Sequence, residues 1–91
     1  MQKVKKLNYR VEVIEEIIND ILSSTPGVAI DYKPIIEISL KTPRIYVKYA
    51  PKPFLTNIYD LSVKIQDNIY HKIMGEFDLA KLIVDITAIK I

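Results

Sequence analysis

The chain's single His, His71, follows Asp67 by four residues, a spacing that sets both side chains on one side of a helix. Such a pair could ligate a metal, or act as a general base steered by a carboxylate. Neither chemistry is complete. There is no Cys and no second His, and no third ligand stands at a matching spacing. His71 therefore reads as a solvent-exposed side chain beside an acid. Glu15, Glu16 and Asp20 occupy positions left over by a stripe of Ile, which makes them the wet face of a helix. Ser23-Ser24 sits at a helix end and matches no nucleophile motif. The two glycines, Gly27 and Gly75, are isolated, so no phosphate-cradling loop is present. No residue is assigned a catalytic, cofactor-binding or metal-binding role, and the chain is not read as an enzyme.

Arg44, Tyr46 and Lys48 alternate along one segment, with Lys33, Lys41 and Lys52 nearby. Basic residues interleaved with an aromatic on a sheet could stack and neutralise single-stranded nucleic acid. No RNA-binding fingerprint accompanies them, the GXXG loop of KH-type domains included. Lys on a sheet edge also serves to discourage edge-to-edge pairing. Arg and Tyr are favoured at protein–protein interfaces, and the last strand offers Ile83, Ile89 and Ile91 on the matching face. The candidate interaction surface is therefore Arg44, Tyr46, Lys48, Ile83, Ile89 and Ile91. A KH-like or RRM-like RNA-binding domain using the basic hairpin is the second reading.

These residues need a scaffold to hold them. Val11, Ile14, Ile17, Ile18, Ile21 and Leu22 recur every three or four residues and predict an amphipathic helix over 10–23. Asn8 is its expected N-cap, and Ser23-Ser24-Thr25-Pro26-Gly27 its stop. Residues 1–7 read either as an edge strand or as a tail. Val28–Ile30 is a short extended piece. Residues 35–40 and 44–49 alternate apolar and polar side chains across Lys41-Thr42-Pro43, which predicts an antiparallel hairpin. Ile45, Val47 and Tyr49 should face inward, and Arg44, Tyr46 and Lys48 outward. Pro51-Lys52-Pro53 ends that strand. A second helix follows, with Leu55, Ile58, Leu61, Ile65, Ile69 and Ile73 as its stripe, widened by Tyr59, Val63 and Tyr70, and Gly75 as its expected stop. Leu82–Ile91 closes the chain as a strand apolar on both faces, which predicts a cover over the sheet's open side.

The order is helix, strand, strand, helix, strand. It predicts an α+β fold: a small antiparallel or mixed sheet of three to four strands, with two helices packed on one face. Ninety-one residues form one domain, 1–91. The 49% of hydrophobic residues, 17 of them Ile, supplies the dense core that so short a chain needs. No stretch is long and apolar enough to span a membrane, so the expected location is cytoplasmic. The net charge of +2 comes in blocks: residues 1–10 carry four cations and no acid, and residues 11–31 five acids and no cation. Alternating blocks suit differently charged faces better than a strong polyanion binder.

Val13-Ile14-Glu15-Glu16-Ile17-Ile18 followed by Thr25-Pro26-Gly27-Val28 resembles the opening of the alkaline shock protein family of envelope stress response proteins. Tyr46-Val47-Lys48-Tyr49 is similar to the end of that family's paired strands, and Ile65-Gln66-Asp67-Asn68-Ile69 to its central helix motif. Leu82–Ile91 is similar to its closing strand. The shorter loop after Gly27-Val28 and the Met74-Gly75 helix end depart from the family's pattern. The resemblance implies a non-enzymatic bacterial scaffold or adaptor of the Gram-positive type. It implies action through protein–protein contacts, with itself as a homo-oligomer or with a membrane-anchored partner. It brings no catalytic residues and no cofactor.

Overall fold

A computed structural model describes residues 2–77, 79 and 81–89 of the chain, with side chains from Arg10 onward. Five elements follow one another: α1 (Gln2–Ser24), β1 (Ile35–Ser39), β2 (Arg44–Tyr49), α2 (Ile58–Glu76) and β3 (Ile83–Ala88). The strands form one mixed sheet in the order β1-β2-β3. β1 runs antiparallel to β2, with Glu37 opposite Tyr46, and β3 runs parallel to β2, with Tyr46 opposite Asp85. Helix α2 is the crossover that parallel neighbours require. The expected α+β class, element order and helix placement hold.

Two-residue alternation decides which side of the sheet is dry. Ile45, Val47 and Tyr49 on β2 are buried, as is Val84 on β3. Ile36 and Ile38 of β1 and Ile86 of β3 pack against the same cluster. Both helices close over that face. α1 contributes Ile14, Ile18 and Leu22, and α2 contributes Leu61, Ile65, Ile69 and Ile73. Each fully buried Ile or Leu stabilises the fold by roughly 1.5–3 kcal/mol through water release. Among the described residues, the opposite sheet face carries no helix.

Several expectations at the helix ends fail. Asn8 is no N-cap, because α1 begins at Gln2. Residues 2–7 are accordingly helix, neither strand nor tail. Gly75 does not stop α2, which runs through it to Glu76 and ends where Phe77 turns extended, its N–H donating to the Ile73 carbonyl at 2.9 Å. Leu55 precedes α2 rather than opening it. Asn57 caps it, its side-chain oxygen accepting from the Asp60 N–H at 3.2 Å. Tyr59 and Tyr70 do not widen the apolar face, as both are exposed.

The turn after α1 needs its glycine. Gly27 has φ of +100°, and a Cβ there would come within 3.2 Å of Leu55 and 3.3 Å of Leu61. From it, the short extended piece pairs back along the chain. Val28 bridges Pro51, the Ala29 N–H donates to the Ala50 carbonyl, and the Lys52 N–H to that of Gly27. This is a bridge and not a fourth strand.

Candidate functional site

The register assembles the open face row by row, since paired residues share a face. Ser39, Arg44 and Ile83 form one row, Glu37, Tyr46 and Asp85 the next, and Ile35, Lys48 and Thr87 the third. Four of the six residues expected at an interaction surface, Arg44, Tyr46, Lys48 and Ile83, thus stand together. Ile89 lies just beyond β3, half-buried, its N–H donating to the Tyr49 carbonyl at 2.9 Å. Ile91 lies outside the described residues.

Sequence reasoning left both acids of this face, Glu37 and Asp85, out of the candidate surface. Arg44 donates from Nε and Nη2 to one Asp85 carboxylate oxygen, at 2.9 and 2.7 Å. Their side chains stay 59% and 40% exposed, so the pair fixes the Arg44 orientation more than it stabilises the fold. Tyr46 has Glu37 as its partner on one side and Asp85 on the other, with the Lys48 ammonium 5.8 Å from its ring centre. The face's charged residues, Glu37, Asp85, Arg44 and Lys48, balance. Its apolar corners, Ile35 and Ile83, are each 45% exposed.

An open cleft of about 1020 Å³ runs from this face around β3 to α2, where Tyr59, Ser62, Val63 and Gln66 line it. Two contacts tie α2 to the sheet there. Gln66 Nε2 donates to the Val84 carbonyl at 2.7 Å, and the Tyr49 and Ser62 hydroxyls share a hydrogen bond of 2.7 Å. Burial pushes the Tyr49 phenol above its ordinary pKa, partly opposed by the Ser62 bond.

The outlying basic residues do not form one patch. Lys41 borders the open face near Ile83, together with Lys81, whereas Lys52 follows the bridging Pro51, its N–H donating to the Gly27 carbonyl. His71 is exposed, its ring edge-on to Tyr70 at 5.5 Å. Among the described residues, no group of three His, Cys, Asp or Glu could hold a metal ion. No helix there is long and apolar enough to cross a membrane.

No protein-family description matches the chain, and no curated relative does. Solved structures do share its architecture. A substituted form of the MamM CTD superposes with a TM-score of 0.54 at 13% identity, over 90% of this chain and 99% of that one. A copper form of a MamM CTD variant gives 0.52 at 14% identity, over 89% and 98%. A nickel form gives 0.52 at 13%, over 88% and 98%. At such identity the likeness is one of fold.

Proposed function

We propose that this chain is a non-enzymatic interaction domain that associates with a second copy of itself through the open face of its sheet, and so acts as a scaffold. The observation that carries the reading is the composition of that face. It presents two acids, two bases, a central tyrosine and two exposed isoleucines on a surface no helix covers. A two-fold dimer sets one patch against the same patch, so each side must supply both signs of charge. A balanced face does so. Tyr and Arg are the residues that anchor interface centres, with apolar contacts around them.

The same composition weighs against the RNA-binding reading. A base stacked on Tyr46 would bring its phosphates between Glu37 and Asp85, and Arg44 is already engaged by Asp85. Phosphate affinity comes from free cations, and among the described residues of the paired rows the basic side chains are Arg44, held by Asp85, and Lys48. The fold shared with the MamM CTD is compatible with an interaction domain and supplies no substrate.

Membership of the alkaline shock protein family is the narrower form of the proposal. It adds a bacterial envelope-stress setting, a cytoplasmic location and a membrane-anchored protein as further partner, and it rests on the short motifs alone. Sedimentation equilibrium tests the broader reading. Wild type should self-associate, and Ile83→Lys should raise the dissociation constant at least tenfold, because a desolvated charge at an interface costs more than 1.4 kcal/mol. A wild-type monomer at millimolar concentration would overturn it.

A further inference from the structure

Among the described residues, strand β3 is an edge, with β2 as its one ladder partner. Its register decides which backbone groups face outward. The Ile83 N–H donates to the Pro43 carbonyl and the Ile89 N–H to that of Tyr49. The odd-numbered residues therefore turn their polar groups toward β2. Val84, Ile86 and Ala88 turn theirs to the free edge, because the N–H and C=O of one strand residue leave on the same side. At Val84 the carbonyl is taken by the Gln66 side chain. Among the described residues, no partner reaches Ile86 or Ala88 on that side.

This edge does not stand alone. Helix α2 packs along β3, and its Tyr59 and Val63 line the same cleft as Ile86, with Tyr59 77% exposed. We infer that the groove between α2 and the β3 edge binds an extended peptide segment of a partner protein, which adds to β3 as a further strand. The inference goes beyond self-association, which uses the sheet's face.

Three observations select that occupant. First, outward N–H and C=O pairs recur every second residue, about 6.8 Å apart, which is the spacing an added backbone matches. The Gln66 carboxamide is itself peptide-like, and it stands where an added strand's N–H would stand. Pairing therefore covers Ile86 and Ala88 and stops at Val84. Second, a copy of this chain does not fit by its own β3. Paired strands lie about 4.8 Å apart, whereas packed helices need about 8–10 Å, and each β3 carries an α2 that reaches over its edge. A segment without a helix meets no such obstacle. Third, Glu37 and Asp85 line the cleft with only Arg44 to offset them, so a polyphosphate strand meets net negative charge. The segment's inward residues would lie against Val63 and Ile86 and should be β-branched and apolar. Its outward residues lie toward Asp85 and Thr87 and should be hydroxyl or basic.

The test is hydrogen exchange and amide shifts of the isotope-labelled 91-residue chain with acetyl-Thr-Val-Lys-Val-Thr-amide. Two further versions of the peptide are N-methylated at alternate residues, one in each phase. At nine-tenths occupancy the Ile86 and Ala88 amides should exchange about tenfold more slowly, since exchange then proceeds from the free tenth. One methylated phase should fail and the other bind. Val63→Lys and Tyr59→Ala, each with the rest of the spectrum unchanged, should weaken binding. The inference is overturned if millimolar peptide leaves both amides unprotected or if both methylated versions bind equally. It is equally overturned if an oligouridine protects those amides in the peptide's place.

Discussion

Tyr49 shows how one side chain couples core to cleft. Its ring is fully buried on the helix side of β2 while its hydroxyl reaches Ser62. Tyr49→Phe should cost about 0.5–1.5 kcal/mol of unfolding free energy in urea, the usual net worth of one hydrogen bond. The pH response has a definite sign. The folded pKa lies above the unfolded value of about 10, so the neutral phenol is favoured in the fold. Stability is unaffected by this group below about pH 10 and falls above it, because there the unfolded chain releases the proton first. In Tyr49→Phe that part of the alkaline loss should vanish. The inward position of Tyr49 was legible from the alternation Ile45, Val47, Tyr49. Its hydroxyl partner was not, because Ser62 enters only once α2 lies over the sheet. Asp85 escaped for the same reason. It pairs with Arg44 across 41 residues, and only the parallel register brings the two together.

Helices and strands were legible where burial alone sets the period. The β1–β2 hairpin and the Ile stripe of α2 follow from alternation and three-four spacing. Helix ends were harder, because they depend on local hydrogen bonds. Gly75 looks like a C-cap by residue type, yet α2 continues through it with ordinary helical backbone, and a Cβ there would meet nothing within 4 Å. Gly75→Ala should therefore stabilise the protein by about 0.5–1 kcal/mol, read as a rise in Tm. A C-cap in the left-handed conformation would show the opposite sign. Asn57→Ala removes the true N-cap and should cost about 0.5–2 kcal/mol in the same assay. At the sheet edge, Gln66→Ala should leave the Val84 carbonyl without its protein partner and speed local exchange along β3, with a global loss of about 1 kcal/mol. Gln66 reads in the sequence as a surface helix residue, and its reach to the edge strand became visible only with α2 in place.

At the scale of the molecule, two helices cover one side of a three-stranded sheet and leave the other side to solvent. The final strand, apolar on both faces, predicted a cover over that side; Ile83 stands there 45% exposed, and among the described residues no element of this chain covers it. The charge balance of that side was hidden, since Glu37 and Asp85 belong to strands far apart in sequence. It is the balance that makes a second copy the matching partner, and it can be inverted at will. Glu37→Lys with Asp85→Lys gives a wholly basic face, and Arg44→Glu with Lys48→Glu a wholly acidic one. Light scattering behind size exclusion, on each double variant and on their mixture, is the most direct measurement. Self-association through this face predicts that each variant alone is monomeric and that the mixture forms a one-to-one heterodimer. Variants that dimerise alone as wild type does, or a mixture that stays monomeric while wild type dimerises, would contradict it.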